Sequence, residues 1–242
     1  MERARLTRYG VLSVSGDDAR AFLHAQLTND IERLPPQRAA FAGWCSAKGR
    51  LLATFLVIPA PQGFLLQLSR DLAATVAKRL SMFILRSKVK LADASDAWTQ
   101  FGLWNVDWER PEVAWEDNVV TVRVGERRFL QIRPASDLTA DPTAGESDWT
   151  LQEIRAGRPL ITAATQDKFV PQMVNLDALG AISFQKGCYP GQEIVARAQY
   201  RGQVKRHMVR LPGPEGLLPG QEFNGGVVVD SAGGELLAVM PD

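Results

Sequence analysis

The run Lys186-Gly187-Cys188-Tyr189-Pro190-Gly191-Gln192-Glu193 sets a cation, a thiol, a phenol, two glycines, an amide and a carboxylate side by side. Such a mixture builds a poor core and a plausible site. Gly187 and Gly191 permit positive φ and close approach of backbone to a ligand. Pro190 suits the first turn of a helix. Gln192 and Glu193 then fall where the helix dipole favours an acidic group. The apolar run Ala181-Ile182-Ser183-Phe184 predicts a short strand entering the segment. Ile194, Val195 and Ala198 supply the buried face of a helix leaving it. Cys188 is thereby expected on a loop at a strand-to-helix junction. Backbone N–H groups at a helix start attract anions, thiolates included, and Lys186 two residues away would lower the thiol pKa further. The plainer alternative is a small buried cysteine in a turn.

Composition narrows the chemistry. The 242 residues carry 28 basic and 27 acidic side chains, so there is no electrostatic footprint for nucleic acid, and direct binding of it is not expected. Cys45 and Cys188 are the only cysteines, and His24 and His207 the only histidines. This leaves no disulfide framework, no conventional zinc site and too few thiolates for a resident iron–sulfur cluster. No permanently bound metal is expected. No apolar run reaches transmembrane length, and Met1-Glu2-Arg3-Ala4-Arg5 is not followed by a signal-peptide core. The expectation is a cytoplasmic monomer with two free thiols, not associated with membrane.

The elements that must position the segment follow from hydrophobic period and turn chemistry. Val11–Val14 predicts a strand, then a helix starts near Gly16–Leu23 with Asp17 as candidate cap. Ala42–Ser46 and Arg50–Ile58 predict a hairpin around Ala47-Lys48-Gly49, and Phe64–Leu68 a third strand. Leu72, Val76, Leu80 and Phe83 have helical spacing over Asp71–Leu85. Val89–Leu91, Trp98–Val106 and Val119–Ile132 predict strands, the last folded at Gly125-Glu126. Pro134–Ser147 reads as a surface linker and a subdomain break, and Asp148–Arg155 as a helix. Gln203–Leu211, Gln221–Phe223, Val227–Asp230 and Leu236–Met240 predict short strands of a β-barrel-like C-terminal module. The whole reads as α+β, with one region over 1–202 and an abbreviated β module over 203–242.

The Lys186–Glu193 segment resembles, over all eight residues, the signature of the YgfZ-type folate-binding proteins. These are relatives of the T-protein (aminomethyltransferase) of the glycine cleavage system. Phe22-Leu23-His24-Ala25-Gln26-Leu27-Thr28-Asn29-Asp30 is similar to that superfamily's N-terminal segment, and Cys45-Ser46-Ala47-Lys48-Gly49-Arg50 to its early hairpin. Arg155-Ala156-Gly157-Arg158-Pro159 and the run from Lys168 to Asp177 complete an ordered match over most of residues 6 to 210. The resemblance implies an aminomethyltransferase-like folate-binding fold of antiparallel sheets with flanking helices. It also implies tetrahydrofolate or a derivative as ligand.

Such a ligand needs a flat apolar slot and cations for its glutamate tail. Trp44, Phe41, Tyr189 and Phe184 are the candidate walls. Lys48, Arg50, Arg155, Arg158, Lys186 and Arg197 are the candidate cations. Two departures bear on mechanism. Where aminomethyltransferases continue Gly-Gly-x-x-Asp-Asp, this chain has Gly49-Arg50-Leu51-Leu52-Ala53-Thr54, so no acid stands at Ala53 or Thr54 for general acid–base work. The family's Leu-Arg-x-Glu-Ala-Gly element reads Gln152-Glu153-Ile154-Arg155-Ala156-Gly157, with acid and base exchanged.

The resemblance therefore implies an accessory protein in synthesis or repair of iron–sulfur proteins, tRNA-thiolating enzymes among them, in transient contact with those enzymes or their assembly factors. Cys188 would be the essential thiol, Lys186 would activate it or hold its charge, and Gln192 and Glu193 would cap the loop or contact ligand. The alternative is a folate-dependent one-carbon transferase using Cys188. A redox module cycling a Cys45–Cys188 disulfide ranks last.

Overall fold

The computed structural model describes residues 1–137, 140–200 and 204–242. Leu138 and Thr139 of the expected linker, the 202/203 boundary and Gln203 at the head of an expected strand lie outside the described residues. In chain order the first elements are β1 (Glu2–Arg5), β2 (Tyr9–Ser15), α1 (Ala19–Gln26), β3 (Ala40–Cys45), β4 (Leu51–Ala60), β5 (Gly63–Ser69), α2 (Arg70–Ser81) and β6 (Lys90–Asp93). There follow β7 (Trp98–Trp104), β8 (Val113–Glu116), β9 (Val119–Gly125), β10 (Arg128–Pro134), α3 (Glu146–Arg155) and α4 (Gln192–Tyr200). The chain ends in β11 (Arg206–Pro212), β12 (Glu222–Phe223), β13 (Gly226–Ala232) and β14 (Glu235–Pro241).

The strands form three sheets. The first is five-stranded, ordered β3-β4-β5-β2-β6, the second five-stranded, ordered β1-β7-β10-β9-β8. β4 lies inside the first and is buried along nearly its whole length. Such a continuous apolar run is what a strand covered on both faces requires. One face of that sheet, with Leu12, Trp44, Phe55, Val57 and Leu66, meets the apolar sides of α1 and α2. The other face, with Tyr9, Val11, Leu56, Ile58 and Leu65, meets Trp104, Val120, Val122, Leu130 and Ile132 of the second sheet.

The third sheet corrects one expectation. Its order is β11-β14-β13-β12, with all pairs antiparallel. The four strands sit where the sequence placed them, but β11 and β12 are both free edges, so no barrel closes. Closing a sheet on itself takes more strands, with tilt and shear to match. This sheet instead buries one face against neighbours. Met208, Val229, Leu237 and Val239 join the core of the first sheet, and Gly233 abuts Leu151 of α3. The half-buried Arg8 and the buried Asp230, 3.0 Å apart, tie β13 to the chain just before β2.

Smaller differences have local causes. Ala181–Phe184 forms no strand. Its backbone is paired by Thr28, whose hydroxyl donates to Ala181 O (2.7 Å) and whose carbonyl accepts from Ser183 N (2.9 Å). Asp17 does not cap α1. The flanking residue is Asp18, whose carboxylate accepts from Lys88 N at 2.7 Å while Asp17 pairs with the Lys88 ammonium. α2 stops at Ser81, and Met82–Leu85 turn away, with Leu85 at φ 48°.

Candidate functional site

The β3–β4 hairpin and the signature loop are locked together by two glycines. Gly49 (φ +67°) sits at the hairpin tip and Gly191 (φ +79°) at the head of α4. A Cβ on Gly191 would lie 2.4 Å from Ser46 O and 2.7 Å from Gly49 Cα. A Cβ on Gly49 would lie 2.7 Å from Ile194 Cβ. Only bare backbone fits on either side, so each glycine is required both by its torsion and by its neighbour. Behind this contact Val195 is fully buried, and its carbonyl accepts from Gln172 Nε2 at 2.7 Å.

Cys188 is exposed beside this clamp, and Cys45 is buried beneath it. Burial pushes the Cys45 thiol up to about 12. Tyr189 is buried too, and its phenol is raised, first by burial and then by the nearby Cys45. Lys186 is only 8% exposed and reaches the C-terminal end of α1, where its ammonium donates to His24 O and, at 2.6 Å, to Leu27 O. These carbonyls carry the negative end of the helix dipole. Its Nζ also lies 5.0 Å from the centre of the Tyr189 ring. Burial lowers the Lys186 pKa to about 8, with Asp30 opposing. The lysine thus anchors the loop to α1.

That anchoring brings a residue the sequence did not single out. His24 Nε2 lies 3.9 Å from where a Cβ on Gly187 would stand. His24 Nδ1 accepts from Glu32 N at 3.2 Å, with Asp30 Oδ1 also at 3.2 Å. Nε2 is the ring nitrogen that faces the loop. The two histidines gave no ligand spacing in sequence, and only the fold sets His24 beside residue 187.

A second cluster lies where the first two sheets meet the end of α3. Tyr9, Phe41, Thr54, Gln67, Glu153 and Arg158 surround a cavity of about 20 Å³. Glu153 is held between two guanidinium groups, its Oε1 3.1 Å from Arg128 Nη1 and its Oε2 3.8 Å from Arg158 Nη1. The Arg158 guanidinium stacks 5.4 Å from the Phe41 ring centre. A carboxylate with lone pairs to spare beside an aromatic wall and the Gln67 amide suits the N–H edge of a flat heteroaromatic ring. The space as packed holds about one water, less than such a ring needs. Thr54 is spent structurally, donating to Pro159 O (3.2 Å) and accepting from Ile161 N (3.1 Å). The β3–β4 hairpin joins the two clusters. Phe41 lies four residues from Cys45, roughly 13 Å along a strand.

The other candidate residues scatter. Trp44 is 1% exposed in the core under the helices, its Nε1 without a partner. Phe184 packs edge-on against Tyr200 at 6.0 Å. Arg155 pairs with Glu235 at 2.7 Å, on the third sheet. Arg50 donates to Lys168 O at 2.6 Å. Lys48, Glu193 and Arg197 are exposed, the first on the hairpin tip and the others on α4, and Gln192 is half-buried. Among the described residues no group of three or more His, Cys, Asp or Glu side chains gathers to hold a metal ion, and no helix is long and apolar enough to cross a membrane.

No family model matches the chain. It is 32% identical over 225 residues to the tRNA-modifying protein YgfZ of Vibrio vulnificus (strain CMCP6), covering 86% of this chain and 69% of that protein. The chain belongs to the YgfZ family. The YgfZ protein of Edwardsiella ictaluri (strain 93-146) is likewise 32% identical, over 238 residues, covering 89% of this chain and 72% of the relative. The YgfZ fold seen here is that of the aminomethyltransferases. The crystal structure of glycine cleavage system aminomethyltransferase T from Bartonella henselae matches 99% of this chain and 78% of its own with a TM-score of 0.73, at 14% identity.

Proposed function

We propose that this chain is a tetrahydrofolate-binding accessory protein that serves the synthesis or repair of iron–sulfur proteins, with Cys188 as its working thiol. The observation that carries the reading is the glycine clamp. It holds an exposed thiol at a fixed place on the hairpin whose other end walls the Glu153–Phe41 cavity. The name of the Vibrio relative, a tRNA-modifying protein, supports a client among the enzymes that modify tRNA.

Tetrahydrofolate carries a one-carbon unit on an electron-rich pterin. Glu153 would accept from the pterin N–H edge, Phe41 would lie against the ring, and Arg158, released from Phe41, would meet a tail carboxylate. The one-carbon transferase reading gains no carboxylate at Ala53 or Thr54, since Ala53 is buried and the Thr54 hydroxyl is bound to backbone. The disulfide reading would need the buried Cys45 to reach an exposed partner.

The test uses cells lacking the gene, complemented with wild-type chain or with Cys188→Ala, and measures thiolated tRNA. Restoration by the wild type alone, with both proteins folded and equally abundant, is the expected outcome. Equal restoration by Cys188→Ala removes the thiol from the account.

A further inference from the structure

A cavity away from the signature loop and the Glu153 cluster has a chemistry of its own. It measures about 520 Å³ and opens between the β4–β5 turn, the end of β2 and the β8–β9 hairpin. That lies inside the range of about 300–1,000 Å³ usual for small-molecule sites. Trp98 and Trp115 stand edge to face in its wall, ring centres 6.5 Å apart and planes at 74°. The Trp115 orientation is fixed, because its Nε1 donates to Pro59 O at 2.9 Å. Two indoles set at a steep angle offer a ring face and a ring edge to one guest.

The charge of the lining is one-sided. Among the described residues, Glu116 and Asp117 are its only ionic side chains. Glu116 is answered by Arg110 at 2.9 Å. Asp117 has no ion pair or hydrogen bond among the described residues. Its place is fixed by a two-residue turn, since Glu116 pairs with Val119 across the hairpin and both Asp117 (φ 47°) and Asn118 (φ 66°) are left-handed. This is the tight turn that matches strand twist, so the backbone that carries the exposed Asp117 side chain is fixed at the rim. Ser13 and Ser15 add hydroxyls at the opposite side.

We infer that this cavity, built by Trp98, Trp115 and the unpaired Asp117, binds a small organic cation with a flat apolar body, of the N-alkylated heteroaromatic class. Indole faces attract a cation through the ring quadrupole, and Asp117 supplies the counter-charge. Anions meet two carboxylates, with the nearby Arg110 already engaged by Glu116. A neutral ring of the same shape gains the apolar contact alone.

The test compares 1-methylnicotinamide with nicotinamide, a flat cation and its neutral parent, by calorimetry on the full chain. The cation should saturate the protein at millimolar concentration and bind roughly tenfold more tightly than the neutral compound, the indoles and the Asp117 carboxylate each supplying part of that preference. Asp117→Asn keeps the turn, because asparagine tolerates the left-handed region, and should reduce that preference by the share the carboxylate supplies, about two- to fivefold. Trp115→Leu should abolish binding of both compounds, with a thermal melt confirming that the variant is folded. Equal affinity for the two compounds, saturation by neither, or an undiminished preference in Asp117→Asn would overturn the assignment.

Discussion

Replacing Gly191 by alanine tests the clamp, and Gly157 supplies its control. Both residues have positive φ, +79° and +65°. They differ in surroundings. A Cβ on Gly157 meets nothing within 4 Å, whereas on Gly191 it meets Ser46 O at 2.4 Å and Gly49 N at 2.8 Å. Gly157→Ala should therefore cost only the left-handed torsion, about 1–2 kcal/mol. Gly191→Ala carries the same torsional cost and must also push the loop backbone away from the hairpin backbone, which adds about 1–3 kcal/mol by the measure of overpacked cores. At about 3 °C per kcal/mol for a chain of this size, melting should fall by about 4 °C for Gly157→Ala and about 10 °C for Gly191→Ala. The loop can instead detach as a unit, in which case the loss shows as faster amide exchange over Gly187–Val195 rather than in the melt. Equal melting of the two variants together with unchanged exchange over that segment would refute the clamp.

Other outcomes follow from single contacts. In the folded chain Lys186 titrates near 8, below its ordinary 10.5. Between those values the unfolded chain holds more protons, so this residue makes stability rise with pH across that window. Urea midpoints from pH 7.5 to 10 should show the rise in wild type and a smaller one in Lys186→Met. The latter should also be weaker at pH 7 by roughly 1.5–3 kcal/mol for its lost bonds to carbonyls. Asp230→Ala leaves the Arg8 guanidinium, 25% exposed, without its buried partner. It should lose about 1.5–3 kcal/mol in chemical denaturation, because Arg8 keeps some water and its bond to Thr150, while Arg8→Met/Asp230→Leu recovers much of that loss. A thiol reagent should find one fast cysteine in the native protein, absent from Cys188→Ser, and a second only on unfolding, because Cys45 is buried and its thiol is pushed up to about 12.

The sequence shows most clearly those regions of the fold that local chemistry determines. Gly49 between two apolar runs marks the β3–β4 hairpin, and Pro190-Gly191 ahead of Ile194 and Val195 marks the start of α4. β1, with its sequence Glu-Arg-Ala-Arg, carries no apolar alternation and exists because β7 pairs with it. Ala181–Phe184 has the composition of a strand but no strand beside it, and Thr28 takes its backbone groups instead. The third sheet's strands are legible one by one, but its closure is not, since an edge is a property of neighbours. The candidate site divides in the same way. The signature announces Cys188 by its unusual residues. Nothing local to Lys186 shows that its ammonium reaches carbonyls at the end of α1, more than a hundred residues earlier in the chain. The Gln152–Gly157 element draws attention to its arginine, yet Arg155 faces Glu235 and it is Glu153 that lines the cavity.

The most direct test of the account is anaerobic calorimetry of tetrahydrofolate against wild type, Cys188→Ala and Glu153→Gln. Saturable binding by the first two, weakened at least about tenfold in Glu153→Gln as befits loss of a charged hydrogen-bond acceptor, is the predicted result. No binding by the folded wild type, or undiminished binding by Glu153→Gln, would contradict the placement of folate in this chain.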